Sequence, residues 1–334
     1  MTPNTTSGSE TAVRAQPKAK VVALPLRILQ SVFSGFGIFL ALLALSAVVA
    51  FLSPYFLTVT NLLNVALQAS INAIVAVGMT FVITSGGIDL SVGSIVGFAG
   101  MIVADALVKG FGMPVGVTVG LVVGLLCGFI NGLLIAKTKL PPFIVTLGSM
   151  GILRGLALIY HQGRPIYGLL KRDVIQIAGY VGIVPKPVII AAVVAILAHF
   201  IFRHTKIGEY AIAIGGNEEA ARLSGIHVDL YKVIIYSLCG MLCGLAGTVL
   251  TARLYAAEPI AGTGYELDAI AATVMGGTSL KGGEGTIVGT IIGAMIMSIL
   301  RNGLNLLNVQ SYYQQVIIGA VIILAVIMDQ MRKG

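Results

Sequence analysis

Ser85-Gly86-Gly87-Ile88-Asp89-Leu90-Ser91-Val92-Gly93-Ser94 sets one carboxylate among glycines and serines, inside a stretch otherwise apolar enough to sit in a bilayer. From Ile28 to Ala136 the only formal charges are Asp89, Asp105 and Lys109. A charge at the centre of a spanning helix costs about 2.5 to 3.5 kcal/mol on insertion scales, so it faces a polar cavity or a protein partner and marks a functional candidate. The two glycines ahead of Asp89 can break a helix. The acid then sits at the N-terminus of the next one, where a carboxylate caps free N–H groups and meets the positive end of the dipole. Capping ranks slightly ahead of solute contact as the role of Asp89.

Outward from this segment the whole chain has the same character. It is 57% hydrophobic and 10% charged over 334 residues, with a mean hydropathy of +0.98, where a soluble domain carries about 25% charged residues. The fold class is therefore an all-α polytopic membrane protein. At about 20 residues per spanning helix, apolar runs lie near 28–52, 61–84, 88–108, 113–136, 143–160, 187–202, 231–254, 266–281, 285–304 and 312–330. About ten transmembrane helices are expected, the eighth the weakest because Glu266 and Asp268 open it. Residues 1–26 read as a disordered cytoplasmic tail, and 27–334 as a single transmembrane domain with an inward loop at about 203–230. With all ten runs crossing and the N-terminus inside, thirteen of the 21 basic residues fall on the cytoplasmic side, as the positive-inside rule asks. Arg164, Lys171, Arg172 and Lys186, which share one external loop, run against it. The net charge of +8 is accounted for by anionic lipid at the inner leaflet and calls for no nucleic acid. Cys127, Cys239 and Cys243 lie within apolar runs and complete no metal set. His161, His199, His204 and His227 form no catalytic constellation.

Two patterns suggest internal order. Gly116, Gly120, Gly124, Gly128 and Gly132 recur every four residues, which predicts a second helix packed at short range on that face. Residues 71–97 align without gaps on 267–293, sharing Ala73, Ile74, Ala76, Met79, Gly86, Gly87, Val92, Gly93, Ile95 and Gly97, so an internal duplication is expected. A second echo, Asn131-Gly132-Leu133 against Asn302-Gly303-Leu304, comes at a spacing shorter by about one helix. Together the two spacings predict that at least one segment only half crosses. Short, glycine-interrupted segments at matching places in two halves point to a transport pathway.

Asn64, Gln68 and Asn72 recur along one helical face ahead of Asp89. With Asp89, Ser91 and Asn302 they are the candidate translocation pathway, since a neutral polyol crossing the membrane needs hydrogen-bond partners in place of water. Interhelical bonding is the alternative for each amide. Glu258, Glu266 and Asp268 form a second acidic group. In the inward loop, Gly215-Gly216-Asn217-Glu218-Glu219-Ala220-Ala221-Arg222-Leu223-Ser224-Gly225-Ile226 predicts a short charged helix ended by Gly225, suited to docking a partner protein. The candidate docking residues are Gly216, Asn217, Glu218, Glu219, Ala220, Ala221, Arg222 and Gly225.

Gly-Gly-Ile-Asp-Leu-Ser-Val-Gly at 86–93, Gly-Gly-Asn-Glu-Glu-Ala-Ala at 215–221, Ala-Ile-Ala-Ala-Thr-Val-Met-Gly-Gly-Thr-Ser at 269–279, Asn-Gly-Leu-Asn-Leu-Leu at 302–307 and Tyr312-Tyr313-Gln314-Gln315 together resemble the ribose/xylose/allose-type sugar permeases of ATP-binding-cassette importers. The resemblance spans about residues 40–330. The Leu-Pro that often closes the family's docking-loop pattern is replaced by Ser237-Leu238. The resemblance implies a type II importer-like permease in a bacterial inner membrane, with both termini cytoplasmic and a second permease copy beside it. It also implies an external sugar-binding protein and a cytoplasmic double-cassette ATPase that holds the ATP, so that this chain binds no cofactor. No Gly-x-x-x-x-Gly-Lys-Ser/Thr phosphate loop occurs in the chain. Two alternatives stay open: a cassette permease for another small solute such as branched-chain amino acids, and an ion-coupled carrier titrating Asp89.

Overall fold

The computed structural model describes residues 24–333. The tail expected over 1–26 thus lies outside the described residues except at its last three positions, which belong to the first helix. The chain divides into an N-terminal unit ending at Gly37 and one body from Ile38 onward. Thirteen helices and one small hairpin are described: α1 (Leu24–Leu52), α2 (Val59–Thr84), α3 (Val92–Val108), α4 (Gly112–Thr138), α5 (Pro142–Tyr160), α6 (Lys171–Ala178), β1 (Tyr180–Val181), β2 (Val184–Pro185), α7 (Lys186–His204), α8 (Lys206–Gly216), α9 (Glu218–Leu223), α10 (Val228–Leu254), α11 (Tyr265–Met275), α12 (Ile287–Leu306) and α13 (Ser311–Lys333). Among the described residues, α2, α4, α5, α7, α10 and α12 are long and apolar enough to cross a membrane. The fold is all-helical and polytopic. Each apolar run of the sequence coincides with a helix, but α3 has 17 residues and α11 only 11. At 1.5 Å per residue, α11 covers about 16 Å, half of a hydrocarbon core.

α2 is the axis of the fold. From Ala69 to Ser85 it is buried on every side, whereas α5 and α7 present Ile152, Ile159 and Ile196 outward. An apolar surface of that kind suits lipid and would be costly in water. α7, α10, α11 and α12 pack around α2 and α3 packs on α10, and these helices share one continuous apolar core.

The glycine ladder of α4 faces protein, not a pore. Gly120 lies against Thr248 and the Gly244 carbonyl, Gly124 against Gly240 and Gly244, and Gly128 against the Tyr236 carbonyl. Gly240 and Gly244 on α10 return the contact, each placed where a Cβ would fall on an α4 carbonyl. The two backbones meet with no side chain between them, which is how helices associate where lipid removes the hydrophobic drive. Gly116, at the end of the ladder, packs instead on Leu107 of α3.

Beyond α10 the chain turns through residues 255–264 before α11. This segment lies along α3, with the Gly262 carbonyl at Gly93 and the Ala261 and Pro259 carbonyls at Gly97. Arg154 of α5 grips it by donating from Nη1 to the Pro259 and Ala261 carbonyls, both at 2.8 Å. Ile166 and Ala257 exchange backbone hydrogen bonds at its start. α11 therefore begins beside the first turns of α3, already within the bundle.

Candidate functional site

α2 stops where the sequence allows it to. The Ser85 amide donates to the Phe81 carbonyl, Gly86 to Ile83 and Gly87 to Val82, a Schellman-type ending. Gly86 takes φ +81°, a region that only glycine enters freely. At Gly87 the space of a side chain is filled by the Tyr236 hydroxyl. Asp89 follows, fully buried. Its Oδ1 accepts the Ser91 amide at 2.9 Å and the Ser91 hydroxyl at 2.6 Å, so it caps the residue before α3 and not the first helical turn. Ser91 Oγ accepts from Asn131 Nδ2 at 2.8 Å, and Asn131 Oδ1 accepts from Ser149 at 2.5 Å. Thr146 donates to the Ile88 carbonyl at 3.1 Å. A buried carboxylate is tolerable only with such charge-assisted bonds, and here they tie the break to α4 and α5.

The break lies at depth. Gly78 packs on Cys239, and Gly100 packs on Gly247 and Thr251, so the chain from Gly78 to Gly100 runs beside the middle of α10. Tyr236, beside Gly87, is about 12 Å along α10 from its start at Val228.

α11 ends in the same way. The Gly276 amide donates to Ala272, Gly277 to Val274 and Thr278 to Thr273, and Gly277 takes φ +91°. The loop that follows closes on itself, Ser279 donating to the Glu284 carbonyl and Gly282 to Ser279. Thr286 then caps α12 by accepting from Gly289. Aligned on the sequence, α11 stops five residues before α2 does. Gly276-Gly277 stands where α2 has Thr80-Phe81 and continues, which lengthens the second break from residues 85–91 to residues 276–286. The two elements touch: Gly283 donates to the Thr84 carbonyl at 2.9 Å, the Thr80 and Thr290 hydroxyls pair at 2.8 Å, and Thr273 reaches the Ala76 carbonyl at 3.3 Å.

A third element covers both. Gly215, near the end of α8, sits where a Cβ would fall on the Thr84 carbonyl and within 2.6 Å of the Gly283 amide; Gly282 lies equally tight on Gly215, and a Cβ on Gly86 would lie 3.6 Å from the Gly215 Cα. Asn217 ends α8 and caps α9, accepting the Ala220 amide at 2.9 Å. α9 is held by exposed ion pairs: Glu218 with Lys232 at 2.7 Å and with Arg222 at 3.5 Å, and Arg222 with Asp229 at 2.8 Å. Such pairs contribute about 0 to 1 kcal/mol each, so they orient α9 more than they stabilise it. Ala221 is buried, Glu219, Ala220 and Gly225 are exposed, and Leu223 is 84% exposed. Gly225, at φ +87°, turns the chain into α10 beside an open groove of about 490 Å³ lined by Arg222, Ile226, Asp229 and Leu230. The exposed face thus carries acidic, apolar and small groups, and its other side rests on the two breaks.

Residues 61–326 match the family described as the permease component of branched-chain amino acid transport systems. The chain belongs to this permease family. Among its relatives, the ribose import permease protein of Bacillus subtilis strain 168 is 50% identical over 89% of this chain and 93% of its own length. The ribose import permease protein of Escherichia coli K12 is 48% identical over 88% and 93%. The D-allose transport system permease protein of Escherichia coli K12 is 40% identical over 89% and 91%. No solved structure matches the chain.

Of the expected pathway residues, the permease brings Asp89 and Ser91 together. Asn72 is buried, Gln68 half-buried and Asn64 exposed, in sequence along α2 away from the break. Asn302 is elsewhere. It forms a reciprocal amide pair with Asn61, at 2.9 and 3.0 Å, and Asn61 is about 35 Å along α2 from Thr84. That pair clasps α12 to the start of α2. The acidic group also separates: Asp268 is buried in an ion pair with Arg301 at 2.7 Å, Glu266 accepts the Gly264 amide, and Glu258 is exposed. Sequence reasoning missed Asn61, Thr146, Ser149, Tyr236 and Arg154. Arg154 carried a signal, a charge inside an apolar run, and Asn131 carried one in the Asn-Gly-Leu echo; Tyr236 carried none.

Proposed function

We propose that this permease moves a monosaccharide, ribose first among the candidates, into a bacterial cell. The energy comes from ATP hydrolysed on a separate double-cassette ATPase, and an external sugar-binding protein delivers the solute. The choice of sugar rests on the relatives named above, whose printed names are ribose and D-allose permeases and which align over nearly all of both chains. The family description admits branched-chain amino acids, but relatives at 40–50% identity that are named for sugars favour the sugar.

The observation that carries the mechanism is the seat of Gly215 on both breaks. A docking face and the breaks share one backbone contact, so a push on α9 is transmitted to Thr84, Gly86, Gly282 and Gly283 with no flexible side chain between them. ATPase closure moves α8, the breaks follow, and the polar chain from Ser149 to Asp89 shifts with them. Asp89 serves as the cap that holds the first break in shape, and Asn72 and Gln68 offer amides along the route.

The same reading places the docking loop in the cytoplasm of a cell membrane, with both termini on that side. α4 and α7 end, and α10 begins, at the docking-loop end, where Lys137, Lys139, Arg203, Lys206, Arg222 and Lys232 gather, in keeping with a cytoplasmic surface over anionic lipid. Ten membrane segments follow, with α11 as a half-span. The paired helix endings at Gly86 and Gly277, the left-handed Gly86 and Gly282, and the shared contact with Gly215 support a duplicated element. A second permease copy completes the pathway. The test is uptake of labelled ribose by proteoliposomes holding the permease with its ATPase and binding protein. Uptake should require internal-face ATP and not an ion gradient. Uptake of leucine in place of ribose, or uptake driven by a sodium or proton gradient without the ATPase, would overturn the assignment.

A further inference from the structure

Three buried polar atoms at the first break, Thr84 Oγ1, Asp89 Oδ2 and the Tyr236 hydroxyl, have no hydrogen-bond partner among the described residues. Asp89 Oδ2 and the Tyr236 hydroxyl are both buried without a hydrogen bond, at 0% and 1% exposure of their residues. They share one neighbourhood. The hydroxyl occupies the side-chain space of Gly87, two residues from Asp89. On its other side the carboxylate is fully served: hydrogen bonds run from Ser149 to Asn131, from Asn131 to Ser91 and from Ser91 to Oδ1, each donating to the next. Oδ2 is therefore an acceptor with nothing to accept, and Tyr236 a donor with nothing to donate to. Buried polar groups are almost always paired, and these two are complementary.

They also sit on different elements. Tyr236 belongs to α10, whose backbone is locked to α4 along Gly120, Gly124 and Gly128. Asp89 belongs to the loop that begins at the left-handed Gly86, on which Gly215 of α8 rests. A displacement of α8 reaches the acid through that backbone contact.

We propose that Tyr236 is a positioning residue of the transport cycle. When α8 displaces the break, the Tyr236 hydroxyl donates to Asp89 Oδ2, and this bond stabilises the displaced conformation. The inference rests on the importer reading. Wild-type uptake in the full complex with ATPase and binding protein decides that reading by itself, and two further measurements decide the pair. Tyr236→Phe removes only the donor and should slow uptake about tenfold, the worth of one buried hydrogen bond, at unchanged membrane abundance and ATPase binding. Asp89→Asn should slow it less, since the amide can donate to the phenol oxygen, and the double variant should be no slower than Tyr236→Phe. In the second measurement, 3-fluorotyrosine at position 236 should shift its fluorine resonance between the nucleotide-free and vanadate-trapped complexes, and Asp89→Ala should abolish that shift. Should Asp89→Ala not accumulate, the Tyr236→Phe comparison stands alone. Tyr236→Phe at the wild-type rate, a resonance that does not move, or a double variant slowed by the product of the singles would each overturn the proposal.

Discussion

Gly215→Ala tests whether the docking face drives the breaks. The added Cβ would meet the Thr84 carbonyl and lie 2.6 Å from the Gly283 amide, where ordinary contact begins at 3.4 Å. Those two backbone groups are bonded to each other at 2.9 Å, so neither can rotate aside, and α8 must retreat by about 1 Å. Overpacking of this kind costs about 1 to 3 kcal/mol, and loosening the buried bond about 1 to 3 more. The better helix propensity of alanine returns up to about 1. The net of about 1 to 5 kcal/mol corresponds to a shift of roughly fivefold to several thousandfold in the population of the seated conformation. A fall of at least about fivefold in ATP-driven uptake is expected, with the ATPase still co-purifying because α9 is untouched. Gly155→Ala, in α5, is the control: it gains the same helix propensity and meets nothing within 4 Å. Equal uptake by the two variants would refute transmission through Gly215. Loss of the ATPase from Gly215→Ala alone would make position 215 a docking site instead.

Gly124→Ala forces a methyl onto the Gly240 carbonyl and within 2.8 Å of Gly244, so the α4–α10 seam opens. A loss of about 1 to 3 kcal/mol should appear as a lower midpoint in a thermal scan in detergent, whereas Gly151→Ala, in open space, should not move it. Asn302→Leu removes two of the three hydrogen bonds of the buried Asn61 amide, at about 1 to 3 kcal/mol; Asn61→Leu/Asn302→Leu should recover part of the loss, and additive losses would show that the two do not act as a pair. Gly225→Val places a branched side chain at φ +87°, a strain of about 1 to 3 kcal/mol at the exit of α9. It and Glu219→Arg should abolish uptake while leaving the permease in the membrane, and the check is ATPase pull-down beside uptake; normal uptake in both would remove the docking role from this loop.

Much of this was legible because lipid leaves few solutions to a sequence. Apolar runs of about 20 residues have to be helices, since an unpaired backbone in hydrocarbon costs too much, and each run coincides with one. The glycine ladder of α4 named its own use, as five small residues on one face are of value only against another backbone. What composition hid was where a run stops. The eighth run was drawn to Lys281, but Gly276-Gly277 ends α11 six residues earlier, because a left-handed glycine outweighs apolar character. Partnership was the other blind spot. Asn64, Gln68 and Asn72 stood out by their spacing, yet the amide that meets Asn302 is Asn61, one turn earlier. Tyr236 was invisible because a tyrosine in an apolar run is ordinary until its hydroxyl is found buried against Gly87. Gly215 could be read as a helix end but not as a contact, since close backbone approach leaves no side-chain pattern.

The asymmetry of the two breaks follows from their sharing one space. In the sequence alignment the counterpart of Asp89 is Gly285, which has no side chain to bond. Its Cβ position is taken by Thr84 Oγ1, with Phe202 at 3.3 Å. A carboxylate there would collide with the end of α2 that the second break must approach for Gly283 to reach the Thr84 carbonyl. Only one of the two breaks can carry a side chain at this level while both stay seated under Gly215. The longer second loop has no need of one: Ser279, Gly282 and Thr286 satisfy it from within. The first loop is four residues shorter and turns directly into α3, so its polar groups depend on Asp89. The acid therefore belongs where the loop is too short to satisfy itself, and a variant such as Gly285→Asp should disrupt the fold of the breaks instead of supplying a second cap.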